Sequence, residues 1–170
     1  MTEPDGCLHT PMTTLRTMLS TVAAWQTWCN VPDAAAALLR IHRMVVEITG
    51  GETGDDAVPF PFAVVGMGDR WESEAVAQGA TADMYVETGS VFLAFEDVLA
   101  QEETDRDGLT RFVNNVSAVL DGLRAISGQG ANLNIVRIMQ RDPPGLFAEA
   151  KHQTRPARGV QAAYLIEWGP

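Results

Sequence analysis

Lysine is nearly missing from this chain. Lys151 is the only one among twelve basic residues, and 22 acids oppose them, for a formal net charge of −10. A dedicated nucleic-acid binder is therefore not expected, because phosphate contacts need clustered Lys and Arg. The same charge would be repelled by anionic membranes. The arginines that remain carry a planar fork suited to paired contacts with carboxylates, although genome composition explains the bias equally well.

Cysteine is also scarce. Cys7 and Cys29 lie far apart and match no metal-ligand spacing. Cys29 closes an apolar helical pattern, so a reduced, partly buried thiol in a reducing, cytoplasmic compartment is expected. No apolar run reaches the roughly 18 residues of a membrane-spanning helix. Residues 1–12 contain Glu3 and Asp5 and lack a basic start followed by an apolar core, so no secretory signal is expected.

Familiar chemical motifs are missing as well. There is no Gly-x-Ser-x-Gly elbow, phosphate loop or zinc-protease motif. Gly66-Met67-Gly68 follows a strand pattern, but Trp71 stands where a dinucleotide loop needs its third glycine, so a Gly-rich connection is the simpler reading. Glu103, Asp105, Asp107 and Gly108 fit the early positions of a calcium loop. Its closing bidentate carboxylate is replaced by Asn114, and an acidic helix start explains the same residues. His9, His42 and His152 are scattered, and His42 beside Arg40 and Arg43 reads as a boundary residue rather than a base. No cofactor, metal or catalytic residue is expected, while a site assembled from distant residues stays open.

What the chain does have is globular composition, with 46% apolar and 20% charged residues over 170 positions. A chain of this length buries roughly 70% of its unfolded surface without a staple. Residues 1–12, broken by Pro4, Gly6 and Pro11, read as a flexible tail, and 13–170 as one domain. Leu15, Met18, Leu19, Val22, Trp25 and Cys29 recur at three- and four-residue steps and predict a helix over 13–28. Pro32 and Asp33 suit the start of a short helix over 34–39. Strands are expected over 43–48, 60–65 and, more weakly, 73–77. Pro59 and Pro61 place the second of these at an edge or a strand start.

A hairpin is expected over 82–96, with Thr88-Gly89-Ser90 as its turn. The longest pattern, Leu109, Phe112, Val113, Val116, Val119, Leu120, Leu123 and Ile126, predicts a helix over 107–127, capped by Asp105 or Asp107 and followed by Gly128. Strands over 134–139 and 162–168 complete the chain, separated by a long loop holding Pro143-Pro144, Lys151, Arg155, Pro156 and Arg158. The sum is an α+β fold, a mostly antiparallel sheet with two amphipathic helices packed on one face.

Charge is segregated along the chain. Residues 87–107 hold seven acids and one base, a net −6, whereas residues 137–158 hold five bases and two acids, a net +3. Opposed patches favour head-to-tail association, which can close into a ring. Two solvated loops with no partner account for the same pattern. Of the four tryptophans, Trp25 reads as core, and Trp71, in a turn-rich stretch, reads as an interface anchor. The candidate interface residues are Trp71, Glu102, Glu103, Asp105, Arg141, Lys151, Arg155 and Arg158.

The order of these elements resembles that of phage tail terminator (tail completion) proteins. The resemblance covers about residues 13–169. It rests on the helix Leu15–Cys29, the strand Phe60-Pro61-Phe62-Ala63-Val64-Val65 and the arm Val91-Phe92-Leu93-Ala94-Phe95-Glu96. An acidic loop, the long helix and Tyr164-Leu165-Ile166-Glu167-Trp168-Gly169 complete it. It implies a structural protein rather than an enzyme, located in the virion neck or tail and in host cytoplasm during assembly. It also implies a homo-oligomeric ring, usually a hexamer, that caps the tail tube protein and meets a head-side connector or stopper. DNA would pass an acidic lumen without specific binding, since like charge avoids phosphate capture. Another connector or minor tail component, or a small-molecule-binding α+β domain with a deep pocket, are the alternatives.

Overall fold

A computed structural model describes residues 9–43, 59–78, 83–149 and 157–170. The first expected helix is two helices, α1 (His9–Thr21) and α2 (Ala23–Cys29), with Val22 extended between them at φ −69° and ψ 118°. The apolar stripe survives the break, because Leu15, Met18, Leu19, Val22, Trp25 and Cys29 are all buried. Asn30, in the left-handed region at φ 52°, ends α2. Helix α3 (Ala34–Leu38) follows, and the Asp33 carboxylate accepts the Ala36 N–H at 2.8 Å to cap it.

The long helix α4 (Asp105–Ile126) takes Thr104 as its cap rather than Asp105 or Asp107. Asp107 N–H donates to the Thr104 hydroxyl, which donates in turn to the Asp107 carboxylate at 2.7 Å. Threonine wins because it can serve both partners, while the two aspartates strengthen the first turn by charge. Phe112, Val116, Val119, Leu120 and Leu123 face the core, whereas Val113 is exposed at the margin of the stripe. Gly122 is where α4 passes closest to the α1–α2 break. A Cβ there would sit 2.5 Å from Val22 Cγ1.

Five strands form one sheet in the order β1-β2-β3-β5-β4. They are β1 (Ile41–Arg43), β2 (Phe62–Gln78), β3 (Asp83–Val98), β4 (Ile135–Glu149) and β5 (Ala157–Trp168). Only β1–β2 is parallel. Strand alternation sends Ala63, Val65, Val91, Leu93, Phe95, Val160, Ala162, Tyr164 and Ile166 to one face, where they join the helical stripe in a single core. Within it Trp28 stacks edge-on against Trp25 and Phe112, with ring centroids 5.5 Å apart in both pairs. The class is α+β with a mostly antiparallel sheet, as the patterning predicts.

The strands are longer than their patterns suggest. The expected strands over 60–65 and 73–77 are one strand, β2, and Gly66-Met67-Gly68 lies inside it rather than in a connection. Pro59 and the cis-linked Pro61 precede β2, the strand-start position expected of them. Thr88-Gly89-Ser90 is not a turn but the middle of β3. Gly89 is there because the Trp168 ring presses on that strand, 3.1 Å from where a Cβ would stand. Pro143 and Pro144 are not in a loop either; β4 runs through them. Strand β4 lies at the sheet edge, and the prolines fall within the register shift between Asp142 and Gly145, where no ladder pair needs their missing N–H groups. The tail expected over 1–12 is shorter, because residues 9–12 form the first turn of α1 with Pro11 buried. Residues 1–8, most of the strand expected over 43–48 and the basic stretch 150–156 lie outside the described residues.

Candidate assembly surface

The helix-side face of the sheet outruns the helices. Cross-strand register continues the core face from Val65 to Met67, which pairs with Val91 and through it with Ile166. The next such row is Trp71, Gly89, Trp168 and Ile135. Helix α1 reaches this region only with its first turn. Met67 is therefore 50% and Trp71 41% exposed although they occupy core-facing positions. They border a groove of about 200 Å³ with Pro11, Met12 and Trp168. A second groove, of about 370 Å³, lies over the end of β5 between Thr88 and Val136, and Val136 is 65% exposed. Single exposed apolar residues need no explanation, but three large ones around one end of a sheet make that end the candidate contact surface.

A bulge shapes this end. Between the pairs Met67↔Val91 and Trp71↔Gly89, β2 carries surplus residues. The Ser90 hydroxyl serves both sides of the bulge, accepting Arg70 N–H at 3.1 Å and donating to the Asp69 carboxylate at 3.2 Å. Gly68 admits the close approach, since a Cβ there would lie 2.5 Å from the Ser90 carbonyl. Arg70 grips Glu72 with two bonds of 3.2 and 2.9 Å in full solvent, which holds the Glu72 carboxyl below the usual range.

Beyond Trp71↔Gly89 the sheet narrows to two strands. Trp168 is the last residue of β5, and the described residues of β1 reach along β2 as far as Val65. From Glu72↔Thr88 to Gln78↔Asp83, β2 and β3 are paired with each other and, among the described residues, with no further strand. Arg70 to Glu74 are all exposed. Among the described residues the result is a two-stranded arm with no further strand on either edge.

The acidic stretch before α4 sits elsewhere and is largely satisfied within the chain. Asp97, nearly buried, accepts Trp28 Nε1 at 3.0 Å and Arg111 Nη1 at 2.6 Å. Arg111 also holds Glu103 through Nε at 2.9 Å and Nη2 at 3.0 Å. These bonds, with the Ala100 N–H, keep the Glu103 carboxyl below its ordinary range. Arg158 binds Asp105 at 2.6 Å and the Glu103 carbonyl at 3.3 Å. Arg141 meets Asp69 at 3.6 Å.

Of the eight expected interface residues, the structure thus pairs Glu103, Asp105, Arg141 and Arg158 with groups of their own chain. Glu102 is exposed before α4, Trp71 is exposed at the base of the arm, and Lys151 and Arg155 lie outside the described residues. Charge segregation along the sequence is in part the imprint of this intrachain pairing. Met67, Val136 and Trp168 were not singled out from sequence. The signal for Met67 was present, because the alternation Ala63, Val65, Met67 runs on past the point where a helix of α1's length can follow.

Among the described residues no group of three or more His, Cys, Asp or Glu is placed to hold a metal ion, and no helix is long and apolar enough to cross a membrane. No protein-family model matches the chain, and no curated protein is detectably similar in sequence.

Proposed function

We propose that this chain is a structural subunit of a phage neck, forming a ring that ends the tail tube and joins it to the head-side connector. The observation that carries the assembling half of this reading is the sheet end. There, core-facing Met67 and Trp71 stand exposed beside a two-stranded arm that, among the described residues, pairs with no further strand. An isolated two-stranded ribbon is marginal in water, so a neighbour that covers it stabilises it. The order of elements supports the neck assignment. The helical segment α1–α2, the short α3, three strands, the long α4 and two closing strands follow the order on which the terminator resemblance rests. The excess of acids suits a lumen through which DNA slides without being held.

Native mass spectrometry and negative-stain microscopy of the purified protein, alone and mixed with tail tubes, test the reading. Rings of defined subunit number, bound at tube ends, are expected. A strict monomer that ignores tube ends overturns it.

A further inference from the structure

The ring reading leaves open how two copies meet, and the two edges of the sheet supply an answer that rests on that reading. Among the described residues, one edge with no strand beside it is β2 beyond the bulge, from Trp71 onward, where Trp71 to Glu74 are exposed. The other is β4 from Ile135 to Arg141, ahead of the prolines. Unpaired strand edges are templates for another strand. Strand β2 runs opposite to β4, since each of the three steps between them in the sheet is antiparallel. A second copy laid beside the first with its helices on the same side would bring its β4 against β2 in antiparallel register, continuing the alternation.

The side chains agree with this arrangement. Glu72 pairs with Thr88 and Glu74 with Val86, which puts both glutamates on the helix-free face. Arg137 pairs with Glu167, on that same face. Glu74 and Arg137 are both exposed. Opposite charges facing each other across strands favour pairing. Each edge also carries a large exposed apolar residue, Trp71 on one and Val136 on the other.

We infer that the β2 edge of the arm, at 71–78, joins the β4 edge, at 135–141, of a second copy of this chain, so that neighbouring subunits share a continuous sheet. The joint is head-to-tail, because the two edges differ, and such joints propagate until they close. Strand β1 occupies the start of the β2 edge, so the neighbour is shifted along the strands toward the tip of the arm.

Charge reversal tests the joint. Glu74→Arg alone and Arg137→Glu alone should each lose the oligomer at a protein concentration where the parent assembles. The double variant should regain it, as read by native mass spectrometry. In a Cys7→Ser background, Ser73→Cys combined with Ile138→Cys, which face each other in the register that sets Glu74 opposite Arg137, should give a ladder of disulfide-linked subunits on mild oxidation, with circular dichroism checking the fold of each variant. Rings of unchanged subunit number in both single reversals, together with no cross-linked ladder, overturn the joint and leave the ring reading standing. A parent chain that stays monomeric both alone and at tube ends overturns both.

Discussion

Asp97 illustrates how one carboxylate can organise a junction. It sits at the end of β3, almost buried, and is the acceptor for Trp28 of α2 and Arg111 of α4. Asp97→Ala strands the indole N–H and removes one of the ion-pair partners of Arg111. Because Arg111 is partly exposed, the expected loss is about 2 kcal/mol rather than that of a fully buried pair. Urea unfolding of the variant measures it.

Glu103 makes the same junction sensitive to acid. Its folded pKa is depressed by the Arg111 hydrogen bonds, so its contribution is complete above the unfolded value of 4.5 and fades as pH falls through the folded value. Urea midpoints should drop below about pH 4.5, and Glu103→Gln should flatten that drop. Cys29 is the opposite kind of residue. Burial pushes its thiol up to about 12, so it carries almost no thiolate at neutral pH. In a Cys7→Ser chain, Ellman's reagent should find no fast-reacting thiol until denaturant is added, and then one equivalent. The buried thiol was legible in sequence, as the last step of a helical stripe. The Asp97 junction was not, because its partners lie 69 and 14 positions away.

At the scale of elements, periodicity was a sound guide to helices and a poor one to strand limits. The α4 stripe marked its helix to within two residues at either end. Strand β3 was mistaken for a hairpin because Thr88-Gly89-Ser90 has the composition of a turn. Its glycine answers to a tryptophan from β5, a contact between residues 79 positions apart that no local pattern encodes. The α1–α2 break was equally hidden, since the apolar stripe runs through it and the glycine that accommodates it lies on α4. The cap of α4 offers a direct measurement. Thr104→Ala removes both halves of the reciprocal bond with Asp107 and should cost about 1 kcal/mol, seen as a lower urea midpoint with an unchanged slope.

For the whole molecule, the sequence conveyed the class, the layer arrangement and the sign of the surface, while the residues of the proposed assembly surface came from three-dimensional pairing. Arg158 shows the difference. By sequence it belonged to a basic segment awaiting an acidic neighbour, and in the fold it is bound to Asp105 of its own chain. Arg158→Glu should therefore change stability by less than about 1 kcal/mol, as an exposed pair does, and leave subunit number in native mass spectra unchanged. Glu74→Arg should alter that number. The proline pair in β4 bears on the same surface from the other direction. A strand edge that accepts one neighbour also invites fibril growth, in which chains add without limit along a cross-β axis. The adjacent Pro143 and Pro144 leave a gap in the amides of that edge and a register shift in its ladder, which separates the stretch ahead of them from the stretch behind. In the proposed joint the pair keeps the splice between subunits short and works against open-ended growth along the edge.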